Sequence, residues 1–384
     1  MPNAPSRTMK AYEAYVSATS DDEKIRKLEE YLSLIPKHKG TEKERGNLRR
    51  KLAQMRESLE KKARGGGRKD NDLSVKKEGA VQVVLAGFPN AGKSSLLCET
   101  TNAEVKVANY AFTTLKPNIG MIPINNVNIQ LVDLPGLISG AAKDKGMGKR
   151  FLSVMRNSDI VAFVLAVNDK PLEKLDFLLR EFDIAGIRLN KTKPDVKVYK
   201  KESGGINILG KHMLTFELQD AIESLREFSI INADVRINRR MGYEDFIDAI
   251  DKSVVWKKAI VIVTKTDLVG PSGVKKVEQE VKKRFAMPVI AVSNTEKTNL
   301  KELVEEIWET AGLMCIYTTT NPNKEPLVVP KGESVIEVAA RIHSDFVRKF
   351  KYARVWGKSA KYPGQRVGKE HVLEDRDVIE LHAE

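Results

Sequence analysis

The segment GFPNAGKS, residues 87–94, has the residue types and spacing of a phosphate-binding loop. It follows an apolar run, residues 81–86, and precedes a helical pattern. Its two glycines let the backbone turn tightly, so that successive N–H groups can point at phosphate oxygens. Lys93 would place its charge between the β- and γ-phosphates, and Ser94 would offer its hydroxyl to Mg²⁺. The loop predicts a nucleoside triphosphate site with these contacts: Asn90, Ala91, Gly92, Lys93, Ser94 and Ser95.

Two later segments would complete the contacts to the metal and the γ-phosphate. The motif DLPG starts at Asp133, directly after an apolar run. An aspartate at this place holds Mg²⁺, and the glycine of the motif, Gly136, supplies a backbone N–H to the γ-phosphate. The polar loop YAFTTLKPN contains Thr114, whose hydroxyl would reach Mg²⁺ when a triphosphate is bound, with Thr113 as the alternative. We predict a catalytic set of Lys93, Thr114, Gly136 and Asn90, and metal ligands Ser94, Thr114 and Asp133.

The sequence TKTD, residues 264–267, follows a strand pattern and predicts the nature of the base. Asp267 can accept hydrogen bonds from N1–H and the 2-amino group of guanine. Adenine lacks this pair of donors and would leave the carboxylate unpaired, at a cost in binding free energy. Lys265 would lay its aliphatic stem over the base, and Ser293 with Asn294 would bring a backbone amide to guanine O6. GTP and GDP are therefore the expected ligands.

Composition limits the classes of function that the chain can have. No stretch approaches the roughly 18 apolar residues of a membrane span, and the N-terminus has no apolar export segment. We therefore expect no membrane association and a cytoplasmic protein. The two cysteines, Cys98 and Cys315, match no metal-binding or disulfide pattern, so both are expected to be reduced and buried.

The formal net charge of +13 is concentrated near the two ends of the chain. Residues 37–69 hold thirteen Lys and Arg against four acidic residues. A second basic cluster consists of Lys349, Lys351, Arg354, Lys358, Lys361, Arg366 and Lys369. Two such clusters favour a polyanionic partner that is contacted through its phosphate backbone, and a solvated surface is the alternative for each of them.

Beyond a glycine-rich linker at residues 65–72, apolar runs alternate with helical patterns. This alternation predicts an α/β fold with a mostly parallel sheet covered by helices. The roughly ninety residues from 168 to 258 exceed a single crossover helix and predict an inserted α+β subdomain. Two helices before the linker predict a basic hairpin, and short strands around one helix, residues 335–350, predict a small C-terminal α+β domain. The expected domains are residues 1–66, residues 67–314 with the insert at about 169–257, and residues 315–384.

The motif set resembles that of translation-factor-class GTPases, and the FTTL segment with the GMG segment that follows resembles the Obg-type branch. Three further regions are similar to the developmentally regulated GTP-binding protein family: PKHKGTEKERGNLRRKLAQMRESL, the insert segments IAGIRLNKTKPDV and INADVRI, and the tail FKYARVWG with VGKEHVLEDRDVIEL. The resemblance, to an archaeal-type member, covers nearly the full chain. It implies a P-loop GTPase domain, an insert like domain 2 of ribosomal protein S5, and a C-terminal TGS domain of the β-grasp type. It also implies a monomer associated with ribosomes or ribosomal RNA, and it leaves a stabilising protein partner open.

Four residues depart from the pattern of related GTPases. Thr264 stands where the guanine motif usually begins with asparagine; we expect it to weaken the tie between base pocket and phosphate loop, which leaves an ATPase as an alternative. Asn294 replaces an alanine, which puts the geometry of its contact in question. Leu137 replaces the glutamine that orients the attacking water in Ras-like enzymes and predicts slow intrinsic hydrolysis. Asn90 matches the asparagine of K⁺-activated GTPases, so K⁺ held partly by Asn90 is our hypothesis for stabilising phosphate charge; a capping role in the loop is the alternative.

These observations predict a GTP-hydrolysing switch that acts on the ribosome or its RNA. The bound nucleotide would order residues 109–118 and 136–150. Lys145, Lys149 and Arg150 lie in the second of these segments and are less specific candidates for catalysis. The alternative, from another class of function, is an RNA-binding scaffold that holds a guanine nucleotide tightly and turns it over negligibly.

Overall fold

The computed structural model describes residues 6–18, 20–36, 39–64, 75–101, 106–107, 117–134, 154–319 and 325–383. The chain divides into two compact units. Unit 1 consists of Met1–Asp72 and Asp176–Lys257, and unit 2 consists of Leu73–Leu175 and Lys258–Glu384. No helix in these described ranges has the length and apolar character needed to cross a membrane.

The principal α-helices are α1 (Ser6–Ser17), α2 (Asp21–Leu34), α3 (Glu42–Arg64), α4 (Lys93–Thr100), α5 (Pro171–Ile184), α6 (Leu218–Glu227), α7 (Tyr243–Ile250), α8 (Pro271–Phe285), α9 (Leu300–Ala311), α10 (Val335–Ile342) and α11 (Ser344–Arg348). The strands are β1 (Val81–Ala86), β2 (Lys106–Val107), β3 (Asn118–Ile124), β4 (Val127–Asp133), β5 (Ile160–Ala166), β6 (Ile187–Leu189), β7 (Val196–Lys200), β8 (Ile206–Leu209), β9 (Ala233–Ile237), β10 (Val255–Thr264), β11 (Val289–Ala291), β12 (Leu313–Thr318), β13 (Leu327–Pro330), β14 (Phe350–Trp356), β15 (Gln365–Val367) and β16 (Val378–Ala383). Short 3₁₀ helices occur at Lys39–Thr41, Lys211–Met213 and Thr266–Leu268.

A mostly parallel sheet forms the centre of unit 2, which confirms the predicted α/β fold class. Its strand order is β11-β10-β5-β1-β4-β3-β2, in which β11, β10, β5, β1 and β4 run parallel, β3 is antiparallel to β4, and β2 is antiparallel to β3. Every residue of β1 and β5 is buried, as expected for strands covered on both faces. Because the strands are parallel, the carboxyl ends of β1, β4, β10 and β11 meet at one edge of the sheet, where ligands bind in folds of this kind.

Unit 1 combines the N-terminal helices with the inserted segment. The helices α1, α2 and α3 share a small apolar core around Leu28 and Leu52. The insert has a three-stranded sheet of order β7-β9-β8, with β7 antiparallel and β8 parallel to β9, and a core around Val235 and Phe246. The sequence predicts two N-terminal helices, and the structure adds α1, whose Tyr12 ring lies 5.3 Å from the ring of Tyr31 on α2.

The C-terminal part of unit 2 is a five-stranded sheet of order β13-β12-β16-β14-β15. The prediction of one helix over residues 335–350 is wrong. A capping box of Ser334 and Glu337 starts α10, but His343 adopts an extended backbone (φ −163°, ψ 143°) and its side chain accepts a hydrogen bond from the N–H of Asp345. This local bond starts the short helix α11, and the chain enters β14 at Phe350.

The two cysteines of the chain lie in opposite environments. Cys98 is exposed, so its predicted burial is wrong: α4 buries Leu96 and Leu97, and Cys98 follows them on the solvent side. Cys315 on β12 is fully buried. Burial, followed by the negative charge of Asp375, raises the pKa of the Cys315 thiol to about 11.

Candidate nucleotide-binding site

The phosphate loop connects β1 to α4 at the carboxyl edge of the central sheet. A Cβ at Gly87 would lie 2.4 Å from the carbonyl oxygen of Val164, so the loop can pass β5 at this distance only with glycine. Asn90 and Gly92 both have positive φ, 62° and 90°. Asparagine tolerates this left-handed conformation better than most residues, and Gly92 is the N-cap of α4. The motif therefore has the tight turn that its glycines predict.

Lys93 bridges the two ends of this loop. Its Nζ donates to the carbonyl oxygens of Gly87 and Phe88, each at 3.0 Å. Burial lowers the pKa of Lys93, against the opposing effect of the Asp133 carboxylate. The ammonium group thus lies at the mouth of a loop whose backbone N–H groups and helix N-terminus both favour an anion.

The paired hydroxyl and carboxylate of the predicted metal site lie in contact. Ser94 Oγ donates to Oδ2 of Asp133 at 2.5 Å. Asp133 is the last residue of β4, lies opposite Leu85 of β1 and is fully buried. Its second oxygen, Oδ1, is buried and has no hydrogen-bond partner among the residues that the structure describes. A hard oxygen donor left open beside a hydroxyl fits Mg²⁺, which prefers carboxylate, hydroxyl and phosphate oxygens.

The predicted base-recognition residues follow β10 and β11. Lys265 has φ 59° and leads into the 3₁₀ helix that contains Asp267. Ser293 Oγ donates to Oδ1 of Asp267 at 2.7 Å, which orients the carboxylate. A cavity of about 400 Å³ opens beside Asp267, lined by residues 266–271 and Glu296. The sequence predicts a backbone role for Ser293, and the contact of its hydroxyl with Asp267 adds a second one.

Two side chains join this base-recognition region to the phosphate loop. Thr264 Oγ1 lies 2.6 Å from the carbonyl oxygen of Ala91, and Asn294 Nδ2 donates to the carbonyl oxygen of Gly92 at 3.3 Å. From the sequence, we expect Thr264 to connect the base pocket to the phosphate loop more weakly than asparagine would. Its hydroxyl nevertheless makes a short hydrogen bond to that loop. Sequence reasoning missed both contacts, because each joins residues more than 170 positions apart and no local pattern marks them.

The structure brings together most of the predicted site at one edge of the sheet: Asn90, Ala91, Gly92, Lys93, Ser94, Ser95, Asp133, Lys265, Asp267, Ser293 and Asn294. Thr114 and Gly136 lie outside the described residues. The same holds for Thr113, Leu137, Lys145, Lys149 and Arg150.

In unit 1, some residues of the N-terminal basic cluster form internal ion pairs. We define the arginine cluster as Arg45, Arg49, Arg188, Asp183, Glu244 and Asp248. Arg45 and Arg49 on α3 are only 2% and 7% exposed. Arg188 donates from Nε and Nη2 to the two oxygens of Asp248 at 2.5 and 2.7 Å. Burial alone lowers the pKa of Arg188, but the hydrogen bonds and charge of Asp248 outweigh it, so the pKa is raised.

The C-terminal basic cluster has a different character. All seven of its members are exposed: Lys349, Lys351, Arg354, Lys358, Lys361, Arg366 and Lys369. Arg354 and Arg366 lie directly opposite each other on β14 and β15. Arg354 also lies opposite Glu380 on β16, and the Arg366 guanidinium lies 3.9 Å from the centroid of the Tyr352 ring, so each of the two charges also has a stabilising neighbour.

Comparison with known proteins agrees with this geometry. Residues 82–201 match the family model described as 50S ribosome-binding GTPase, residues 203–313 match the C-terminal region of that domain, and residues 316–383 match the TGS domain. The chain is 42% identical over 365 residues to an uncharacterized GTP-binding protein of Methanocaldococcus jannaschii, covering 94% of this chain and 92% of the relative. It is 36% identical to an uncharacterized GTP-binding protein of Halobacterium salinarum, covering 94% and 99% of the two chains.

A eukaryotic relative has an explicit family name. The chain is 35% identical over 364 residues to developmentally-regulated GTP-binding protein 2 of Homo sapiens, covering 94% of this chain and 98% of the relative. The match thus spans both units, including the phosphate loop, the insert and the C-terminal sheet. This chain belongs to the developmentally-regulated GTP-binding protein family and is a GTP-binding protein of the GTPase superfamily with a C-terminal TGS domain.

Proposed function

We propose that this protein hydrolyses GTP with Mg²⁺ and acts as a nucleotide-dependent switch on the ribosome or its RNA. The observation that carries the proposal is the pair of Ser94 and Asp133. Oδ2 of the buried Asp133 carboxylate lies 2.5 Å from the hydroxyl of Ser94, and Oδ1 has no hydrogen-bond partner among the described residues. This arrangement is suited to a metal–triphosphate complex.

Each residue of the predicted site has a defined task in this proposal; Thr114 and Gly136 take theirs from the sequence motifs alone. Mg²⁺ bound by Ser94 and Asp133, with Thr114 as the third protein ligand, would neutralise charge on the β- and γ-phosphate oxygens. Lys93 orients the same phosphates, and Gly136 supplies a backbone N–H to the γ-phosphate. Asp267, oriented by Ser293, selects guanine, with Lys265 over the base and a backbone amide at Ser293–Asn294 for O6.

We further propose that K⁺ stimulates hydrolysis through Asn90. Leu137 cannot orient a water molecule, so another source of charge stabilisation is needed. Asn90 is exposed at the tip of the loop with φ 62°, and its amide oxygen is available to a cation. Asn90→Gly is the informative variant, because glycine keeps the left-handed backbone and removes only the side chain.

The test is the rate of GTP hydrolysis in K⁺ and in Na⁺. We expect faster turnover in K⁺ for the wild type and equal turnover in both salts for Asn90→Gly. An equal rate in both salts for the wild type would reject the role of K⁺. Tight GDP binding without K⁺-stimulated turnover would instead support the RNA-binding scaffold. The negligible turnover of that alternative agrees with Leu137, which cannot orient the attacking water.

The ribosome as partner is supported by two features. Residues 82–201 match a family described as ribosome-binding GTPases, and the C-terminal basic cluster is exposed. Co-sedimentation with ribosomes in GDP and in a non-hydrolysable GTP analogue tests the switch. We expect stronger binding with the analogue. Binding that ignores the nucleotide would reject the switch and leave the GTPase assignment in place.

A further inference from the structure

We propose that Asn294 is a positioning residue of the nucleotide site. Together with Thr264 it holds the backbone of the phosphate loop and thereby lengthens the time for which a guanine nucleotide stays bound. The inference rests on guanine-nucleotide binding at this site and is independent of hydrolysis, K⁺ and the ribosome.

Asn294 contacts the backbone at the point where the phosphate loop becomes α4. Its Nδ2 donates to the carbonyl oxygen of Gly92 at 3.3 Å. The same carbonyl accepts the N–H of Leu96 at 2.9 Å, a bond of the first turn of α4. Gly92 has φ 90° and is the residue at which the loop becomes the helix. Asn294 therefore acts at the helix N-terminus that faces the phosphates.

Thr264 contacts the adjacent carbonyl of the same loop. This residue is fully buried at the end of β10, and its Oγ1 lies 2.6 Å from the carbonyl oxygen of Ala91. Two consecutive carbonyls of the phosphate loop are thus held from two separate segments, the end of β10 and the turn after β11. Those two segments also carry Asp267 and Ser293, so the base contacts and the phosphate contacts are joined by side chains.

The hydrogen bond to Gly92 fixes the orientation of the Asn294 amide. The carbonyl of Gly92 requires a donor, so Nδ2 faces it and Oδ1 is turned away. Oδ1 is buried, and within the described ranges of the chain no group hydrogen-bonds to it. A buried acceptor in this state destabilises the fold, so the amide is not explained by stability alone. Holding the loop for a ligand accounts for its presence.

These contacts make Asn294→Ala a clean test. The variant removes the open acceptor together with the donor, and the carbonyl of Gly92 keeps its bond from Leu96. No buried polar group loses its last partner, so the variant should fold as stably as the wild type. Thr264→Val keeps the shape of the side chain and removes the hydroxyl, whereas Thr264→Ser keeps the hydroxyl.

The experiment measures the dissociation of fluorescent GDP from the full chain, chased with excess unlabelled GDP. We expect dissociation about three- to tenfold faster in Asn294→Ala, the equivalent of one hydrogen bond. Thr264→Val should be faster by about tenfold, and Thr264→Ser should resemble the wild type. The double variant Thr264→Val/Asn294→Ala should exceed the product of the single effects, because either tie alone still holds the loop. Thr295→Ala, an exposed neighbour on the same turn, is the matched control.

A second readout separates positioning from catalysis. Asn294→Ala should accelerate GDP dissociation by a larger factor than it slows a single turnover of pre-bound GTP, because Asn294 contacts the loop and not the reacting phosphate. Dissociation of GDP from Asn294→Ala within twofold of the wild type would overturn the inference. A wild type that binds GDP without hydrolysing it would reject the proposed activity and leave the comparison of dissociation rates decisive.

Discussion

The arginine cluster of unit 1 and the nucleotide site of unit 2 are both built from buried polar groups, but they differ in how those groups are satisfied. In the arginine cluster, three guanidinium groups lie against three carboxylates, and Asp248 accepts from two of them. Nε of Arg49 is buried without a hydrogen-bond partner among the described residues, but the Nη atoms of the same group contact all three carboxylates, so its charge is paired. In the nucleotide site, Asp133 and Asn294 each have one oxygen that is buried without a hydrogen-bond partner in the part of the chain that the structure describes.

This difference distinguishes buried polar residues that stabilise the fold from buried polar residues that we expect to contact a ligand. Removing a charge from water is costly unless a partner compensates it. Where the polypeptide supplies the partner, as for Arg45 and Glu244, the residues join segments of the fold that are about 200 positions apart in the chain. Where the polypeptide leaves one oxygen without a partner, as for Asp133, part of that cost stays uncompensated by the described residues. The comparison predicts that variants of the first kind lose stability and variants of the second kind lose activity.

The largest effect is expected from Asp248→Asn in the arginine cluster. The change leaves Arg49 and Arg188 buried without their shared carboxylate, which should destabilise unit 1 by about 3–5 kcal/mol. Hydrogen exchange in α3 and α7 measures the loss. Asp176→Asn is the control, since its pair with Arg180 is partly exposed and should cost less than about 1 kcal/mol. Equal effects of the two variants would contradict the comparison.

The next effect is expected from Asp133→Asn in the nucleotide site. Since a buried carboxylate with an unpartnered oxygen lowers stability in the absence of a ligand, Asp133→Asn should leave the stability of the nucleotide-free protein unchanged or raise it, while GTP turnover should fall by about 100-fold or more. Thermal unfolding and steady-state turnover measure the two quantities. Asp159→Asn is the control, because this carboxylate bonds the N–H of Gln82 at the opposite end of β1 and should leave turnover unchanged. A loss of stability as large as that of Asp248→Asn would place Asp133 among the structural carboxylates.

The smallest effect is expected from Tyr31→Phe, which removes one hydrogen bond within unit 1. The Tyr31 hydroxyl donates to Glu44 at 2.9 Å, and its loss should cost about 1.5 kcal/mol. Burial and this bond raise the pKa of Tyr31 from 10.0 to about 12. The folded state therefore holds the proton more tightly, and wild-type stability should fall as the pH rises from 10 to 12.

Urea unfolding at pH 8 and pH 11 measures both effects. Tyr31→Phe should lose the part of the alkaline decline that Tyr31 causes, and Tyr199→Phe, at an exposed tyrosine of the same unit, should behave as the wild type. A decline of the same size in Tyr31→Phe and the wild type would show that another group controls it.

Much of the nucleotide site could be predicted from the sequence because its chemistry is local. The run 81–86 coincides with β1, and each motif follows directly on a buried strand whose carboxyl end lies at the same edge of the sheet. The side chains of Thr264 and Asn294 were different, because their partners are the backbone carbonyls of residues far away in the chain. Every residue type has a backbone carbonyl, so the amino-acid sequence does not show which carbonyls accept these hydrogen bonds.

The arginine cluster could not be predicted for a related reason. In the sequence, Arg45 and Arg49 belong to a basic run that favours a polyanionic partner. In the structure they pair with carboxylates of α7 and of the carboxyl-terminal end of α5. Composition counts charges but does not show which of them face inward. The prediction of a single helix over residues 335–350 was wrong for a similar reason. The apolar pattern continues past His343, but the backbone is extended at this residue and the helix ends there.

The contrast between the two cysteines makes the natural chain a convenient subject for spectroscopy. A thiol with a pKa of about 11 is about one part in 10⁴ thiolate at neutral pH, and Cys315 is also sealed from solvent. Cys98 is exposed on the helix that begins at Lys93. A maleimide dye or spin label should therefore attach at one position, less than two turns from the phosphate loop, without any engineered substitution. The protein carries its own attachment point for watching nucleotides arrive and leave.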